Sequence, residues 1–143
     1  MTASARQPFR WPVRVYYEDT DAAGIVYYAN YLKYLERART EWLAAMGFGL
    51  AELEMQHAAV FVVHRVEIDY RRPARLGDAL TVTVAPVDVG RSRLVVVQNV
   101  QQDARGEGLV LTTARVTLAF VARNTWRPTR VPASLLSCME SRA

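Results

Sequence analysis

The sequence predicts an α+β fold in which an antiparallel sheet wraps around one long central helix. Three observations lead there. Hydrophobic residues alternate near the N-terminus, recur every three or four positions from about Ala29 to Gly47, and then alternate again to near the C-terminus. The later strands are joined mostly by short turns, which imply antiparallel neighbours. A lone helix with one apolar stripe must bury that stripe against the sheet.

Each element has its own signal. From Arg10 to Glu18, Val13, Val15 and Tyr17 share one face and Arg14, Tyr16 and Glu18 the other, the pattern of a strand. Asp19 to Gly24 is rich in turn residues. The helix follows, with Leu32, Leu35, Trp42, Leu43 and Met46 inward beside Ala38 and Ala45, and with Lys33, Arg37, Thr40 and Glu41 outward. Asn30 is the expected cap and Gly47 the expected C′ residue. After a loop, Val60, Val62, Val66, Ile68 and Tyr70 mark one face of a strand that stops near Pro73. By the same parity His64 falls on the apolar face, as a satisfied core histidine; His57 falls in the loop. Asp78 to Ala85 is the next strand, with Leu80, Val82 and Val84 inward. A turn at Gly90 leads to Leu94–Gln101, DARGEG is a hairpin turn, and Leu109–Val121 is the last strand. Arg123 to Pro132 is irregular, and Pro132 opens a short helix in which Leu135, Leu136 and Met139 pack.

The chain has 143 residues, with no repeat or linker, and reads as one domain, 1–143. Half of it is apolar, which argues against disorder. No apolar run is long enough for a membrane span. MTASARQPFRWP lacks the apolar segment of an export signal, so the expected location is the cytoplasm. A single cysteine, Cys138, excludes an internal disulfide and a cysteine metal cluster, and it reads as a passive thiol. The net charge is +4, nearly all the cations are arginine, and Lys33 is the only lysine. Arginine forks suit phosphate. The strands show no basic stripe interleaved with aromatics, so a nucleic-acid partner is not expected. A single sheet over one helix leaves an edge and a face needing cover, which predicts a homo-oligomer, a dimer or a tetramer.

The stretch from Tyr16 to Leu43, YYEDTDAAGIVYYANYLKYLERARTEWL, crowds Glu18, Asp19 and Asp21 ahead of the helix. Three readings fit. The acids can simply build the turn and favour the helix start. They can hold a divalent metal, but no histidine lies near and they do not share a helical face, so no metal is expected. Or one of them works beside a helix N-terminus, whose free N–H groups polarise a carbonyl while the carboxylate attacks it or activates water. Gly24 would let backbone and ligand approach closely. These pieces suit acyl transfer or hydrolysis.

The stretch VYYEDTDAAGIVYYANYLKYLERARTEWL resembles the signature of the hotdog-fold acyl-CoA thioesterases. It is closest to the branch associated with the Tol-Pal envelope gene cluster and more distantly similar to 4-hydroxybenzoyl-CoA thioesterase. The likeness continues through FVVHRVEIDYRRPARLGDALTV and loosely to RPTRVP, and so covers most of the chain. The resemblance implies hydrolysis of an acyl-CoA to free acid and CoA, with no cofactor beyond the coenzyme A of the substrate. It implies that Asp21 is nucleophile or general base, and that the backbone N–H of Tyr28 polarises the thioester carbonyl. The Tol-Pal branch usually carries histidine at the position of Tyr28, and the 4-hydroxybenzoyl-CoA enzyme an aromatic residue; a backbone donor does not depend on that choice.

Tyr27, Tyr28 and Tyr31 read either as an acyl pocket or as core and interface packing. Arg91 and Ser92, projected by a hairpin, are the first candidates for the phosphates of coenzyme A; Arg71, Arg72 and Arg75 form a second cluster, and Arg127 and Arg130 a third. Glu18 and Asp19 are expected to face solvent or cap the turn. With neither histidine placed beside Asp21, hydrolysis is favoured over dehydration. The alternative is a non-catalytic module of the same fold that binds acyl-CoA or acyl carrier protein; the acid retained at Asp21 argues against it.

Overall fold

The computed structural model describes residues 7–103 and 108–142. Five antiparallel strands form one sheet: β1 (Phe9–Arg14), β2 (Ala59–Tyr70), β3 (Ala79–Val89), β4 (Arg93–Gln102) and β5 (Leu109–Ala122). Their order is β1-β3-β4-β5-β2, so β1 and β2 are the edges. The helices are α1 (Asn30–Ala45), α2 (Leu50–His57) and α3 (Ala133–Arg142). This is the expected α+β architecture, with α1 packed on the sheet. Most of the DARGEG turn lies outside the described residues.

The apolar stripe of α1 is Tyr31, Tyr34, Leu35, Ala38, Trp42 and Leu43. It meets Leu80, Val82 and Val84 of β3 and Val96 and Val100 of β4 in one core. Each fully buried side chain of this size contributes about 2 kcal/mol. The expected stripe was rotated by a residue at its start: Leu32 and Ala45 are exposed, and the tyrosines bury their rings instead. A tyrosine can do so because its apolar ring is much larger than its one polar atom. Gly47 has φ +88°, and the Phe48 N–H donates to the Leu43 carbonyl at 2.9 Å, which closes the helix as expected.

Four other expectations change. First, β1 ends at Arg14, and Tyr17 lies in a 3₁₀ turn (Tyr17–Asp19), fully outside the β1 alternation and 82% exposed. Second, the segment after Gly49 is the helix α2, which ends at Ala58 with φ +48°. Its apolar face is only Leu53, too thin a pattern to read as a helix. Third, Asn30 does not cap α1; its side chain turns back to the preceding loop. Fourth, β2 contains a bulge. Val63 pairs with Leu118 and Arg65 with Thr117, leaving His64 between them. One inserted residue reverses the alternation. Phe61 therefore packs inward before the bulge and Val66 and Ile68 after it, while His64 is exposed instead of in the core. Phe61 meets Phe120 with ring centroids 4.7 Å apart.

The C-terminal helix forms as expected, with Leu135 and Met139 buried. Beyond Pro86 the register of β3 shifts, and the strand continues to Val89 before the turn at Gly90.

Candidate active site

The loop between β1 and α1 is built around Asp19. Its carboxylate accepts the Tyr16 N–H at 2.9 Å, closing the 3₁₀ turn. Its carbonyl accepts the Tyr27 N–H at 2.9 Å and the Asn30 Nδ2–H at 2.7 Å. Asp19 is only 6% exposed, so it caps the turn but does not face solvent. Glu18 beside it is exposed. The Tyr34 hydroxyl is buried beside the Asp19 carboxylate, outside hydrogen-bond geometry and with no partner among the described residues. Burial first, and then the Asp19 charge, pushes that phenol well above its ordinary range.

Asp21 opens the tight turn that follows. Its N–H donates to the Ile25 carbonyl at 2.8 Å, its carbonyl accepts the Gly24 N–H at 3.0 Å, and its Oδ1 accepts the Ala23 N–H at 2.8 Å. Its side chain is exposed. Gly24 has φ +79°, and a Cβ built there would meet nothing within 4 Å. The turn thus requires glycine for its backbone conformation; close packing of a neighbour is not the reason.

Past Val26 the chain turns into α1. The Asn30 N–H donates to the Tyr27 carbonyl at 2.8 Å. The Tyr28 N–H, in the turn two residues ahead of α1, makes no hydrogen bond among the described residues. The Tyr28 carbonyl accepts the Tyr70 hydroxyl at 3.1 Å.

Beside this helix start lies an open cleft of about 290 Å³. Tyr28, Tyr31, Tyr70, Arg71 and Arg72 line it together with Ile25 and Val26. The rings of Tyr28 and Tyr70 meet edge to face at 6.2 Å, and those of Tyr31 and Tyr70 lie 5.5 Å apart. The Tyr31 oxygen accepts the Ala74 N–H at 3.0 Å. Burial raises the pKa of Tyr31, against the effect of that bond, and burial also raises that of Tyr70, so both rings stay neutral at physiological pH.

Of the residues singled out in the sequence, Tyr28 and Tyr31 line the cleft. Tyr31 also belongs to the core. Asp21, Gly24 and Tyr27 sit on the adjoining loop and not in the lining. The Tyr27 ring meets that of Tyr28 at a tilt of 51°, with centroids 5.0 Å apart. Arg91 and Ser92 are at the far end of the sheet. Leu94 pairs with Val89 at that end and Val100 with Thr112, the partner of Tyr70, at the cleft end. The strand between them runs about 20 Å. Within one chain, then, Arg91 and Ser92 do not reach the cleft. Tyr70, Arg71 and Arg72 were not among the first choices. Tyr70 ends a strand whose bulge hides its facing, and its contact with Tyr28 crosses 42 residues, which no local pattern encodes. Among the described residues no group of His, Cys, Asp and Glu is placed to hold a metal ion.

A helix start with a free amide, an acid-bearing turn hydrogen-bonded to it and an aromatic cleft alongside form one unit on an α+β frame. A family model for the thioesterase-like superfamily matches residues 15–138, and the chain belongs to that family. Its sheet and central helix are the hotdog fold. The acyl-CoA thioester hydrolase YbgC of Escherichia coli O6:H1 is 39% identical over 129 residues, 90% of this chain and 93% of that protein. The crystal structure of a probable thioesterase from Bartonella henselae matches at 32% identity with a TM-score of 0.81, covering 88% of this chain and 100% of that one. The 1,4-dihydroxy-2-naphthoyl-CoA thioesterase of Synechocystis, at 22% identity, shares the fold with a TM-score of 0.83 over 93% of this chain and 96% of that one.

Proposed function

We propose that this protein hydrolyses an acyl-CoA thioester to the free acid and CoA. The observation that carries the reading is the unpaired Tyr28 N–H at the start of α1, beside the cleft and joined through Asp19 to the turn bearing Asp21. The thioester carbonyl binds with its oxygen toward that N–H, and the helix start stabilises the charge that develops there. Asp21 acts in one of two ways. As nucleophile, its oxygen attacks the carbonyl, CoA thiolate leaves, and water cleaves the resulting anhydride. As general base, it takes a proton from water, whose oxygen attacks instead. Both routes consume one water and return one acid and one thiol. No metal or redox cofactor takes part. The named relatives support an acyl-CoA substrate.

The working form is a homo-oligomer, a dimer or a tetramer in the cytoplasm. Strand β2 is an edge with an unpaired side, long enough to take a second copy. If two β2 strands pair antiparallel about a two-fold axis, the Tyr70 end of one meets the Ala59 end of the other. That is the end near Arg91 and Ser92, since the Ser92 carbonyl accepts the Phe120 N–H and Phe120 pairs with Phe61 of β2. The partner's copy of this hairpin then offers its arginine to the CoA phosphates of a substrate lying in the cleft.

The test is Asp21→Asn, assayed with short, long and aromatic acyl-CoAs. Turnover should fall by orders of magnitude while the circular dichroism spectrum and melting temperature stay as in the parent. Near-normal turnover removes Asp21 from the chemistry.

A further inference from the structure

The cleft has two arginines and no acid. Arg71 and Arg72 line it. Among the described residues the ion pairs engage Arg10, Arg65 and Arg123, and no side-chain hydrogen bond uses the guanidinium of Arg71 or Arg72. Their roots are nevertheless fixed. Both peptide N–H groups donate to one acceptor, the Leu111 carbonyl, at 2.8 and 3.0 Å. The residues that follow are tied to the catalytic loop: the Ala74 carbonyl accepts the Val26 N–H at 2.9 Å, the Ala74 N–H donates to Tyr31, and Arg75 bridges to Ile25. Two unpaired cations are thus anchored at the rim of the cleft, on a segment hydrogen-bonded to the one that presents the Tyr28 amide. Adjacent like charges repel unless an anion joins them, and guanidinium forks match carboxylate and phosphate oxygens.

We propose that Arg71 and Arg72 form a subsite for an anionic group of the thioester substrate, a carboxylate or a phosphate held in the same cleft as the reacting carbonyl. The proposal rests on the thioesterase reading of the site. The anion has two possible sources, a terminal carboxylate on the acyl group or the phosphates of CoA.

The full-length protein is assayed with glutaryl-CoA and pentanoyl-CoA, equal in length and different in charge, and with the N-acetylcysteamine thioesters of the same acids, which lack every phosphate. The variants are the double substitution Arg71→Ala with Arg72→Ala and the charge-keeping pair Arg71→Lys with Arg72→Lys. The alanine pair should lose at least tenfold in kcat/KM, through KM, on the substrates that carry the recognised anion, and the lysine pair should keep most of it. A loss that follows the glutaryl group on either thiol assigns the subsite to the acyl carboxylate. A loss that follows CoA with either acyl group assigns it to phosphate. Unchanged kcat/KM on all four substrates overturns the proposal. So does a change of molecular mass by light scattering with unchanged substrate preference, since the arginines would then serve a contact between copies. If the alanine pair does not fold, Arg71→Gln and Arg72→Gln are taken singly. Calorimetric titration of glutaryl-CoA and of CoA into the parent and the alanine pair reads the subsite without turnover. Tenfold weaker binding in the variant keeps the subsite even if the parent cleaves no thioester, whereas equal binding removes it.

Discussion

Asn30 donates its Nδ2–H to the Asp19 carbonyl at 2.7 Å, on the oxygen that also accepts the Tyr27 N–H at 2.9 Å. One backbone atom therefore fixes the spacing between the turn that carries Asp21 and the helix start that presents the Tyr28 amide. Removing the side chain in Asn30→Ala frees that spacing. The lost hydrogen bond should cost about 1 kcal/mol of stability. The looser geometry should lower kcat by about tenfold to a hundredfold with little change in KM. Urea melts and steady-state kinetics on the same preparation separate the two effects. An unchanged kcat in the folded variant would limit Asn30 to a structural part.

The role assigned to Tyr28 belongs to its backbone, and a pair of substitutions separates backbone from side chain. Proline lacks the N–H and is tolerated in the first turn of a helix. Tyr28→Pro should therefore lower kcat by about a hundredfold or more, as loss of an oxyanion donor does. Tyr28→Ala keeps the N–H and should cost much less. Equal losses in the two variants would transfer the effect to the ring and its contact with Tyr70.

The buried Tyr34 phenol gives the protein an alkaline limit. Its pKa is raised in the folded state, first by burial and then by Asp19. In the unfolded chain it ionises near about pH 10. Below that pH both states hold the proton and the shift has no effect. Above it the unfolded state loses a proton that the folded state keeps, so stability falls as pH rises. Tyr31 and Tyr70 act in the same direction. Urea midpoints should drop as the pH rises past about 10, and the drop should be smaller in Tyr34→Phe. An identical drop in the variant would mean that Tyr34 ionises freely in the fold.

The sequence made the architecture legible because its strong signals were local. The alternation of Leu80, Val82 and Val84, the three-and-four spacing through Leu35, Trp42 and Leu43, and Gly47 at the helix end each act within one element. What escaped depends on pairing between distant segments. The bulge at His64 is visible only against Leu118 and Thr117, and it reversed the facing of half a strand. At the site, the acidic turn and the helix start stood out, while the cleft did not. Its walls join Tyr28 to Tyr70 and Tyr31 to Ala74, contacts between segments some forty residues apart. The burial of Asp19 was also hidden, since an acid in a turn is ordinarily solvated and this one is covered by Tyr34 and its own loop.

Thr112 offers a stabilising change. It lies in β5 between Tyr70 of β2 and Val100 of β4, with no exposed surface. Its hydroxyl has no hydrogen-bond partner among the described residues. A buried polar group without a partner keeps its desolvation cost and gains nothing in return. Valine has nearly the same shape, the same branching at Cβ and a strong preference for strands. Thr112→Val should therefore raise stability by about 1 kcal/mol, read as a higher urea midpoint with an unchanged slope. Acyl-CoA turnover should be unaffected, because Thr112 is fully buried and is not among the residues that line the cleft. A loss of stability of that size would mean instead that the hydroxyl is bonded in solution, to a buried water.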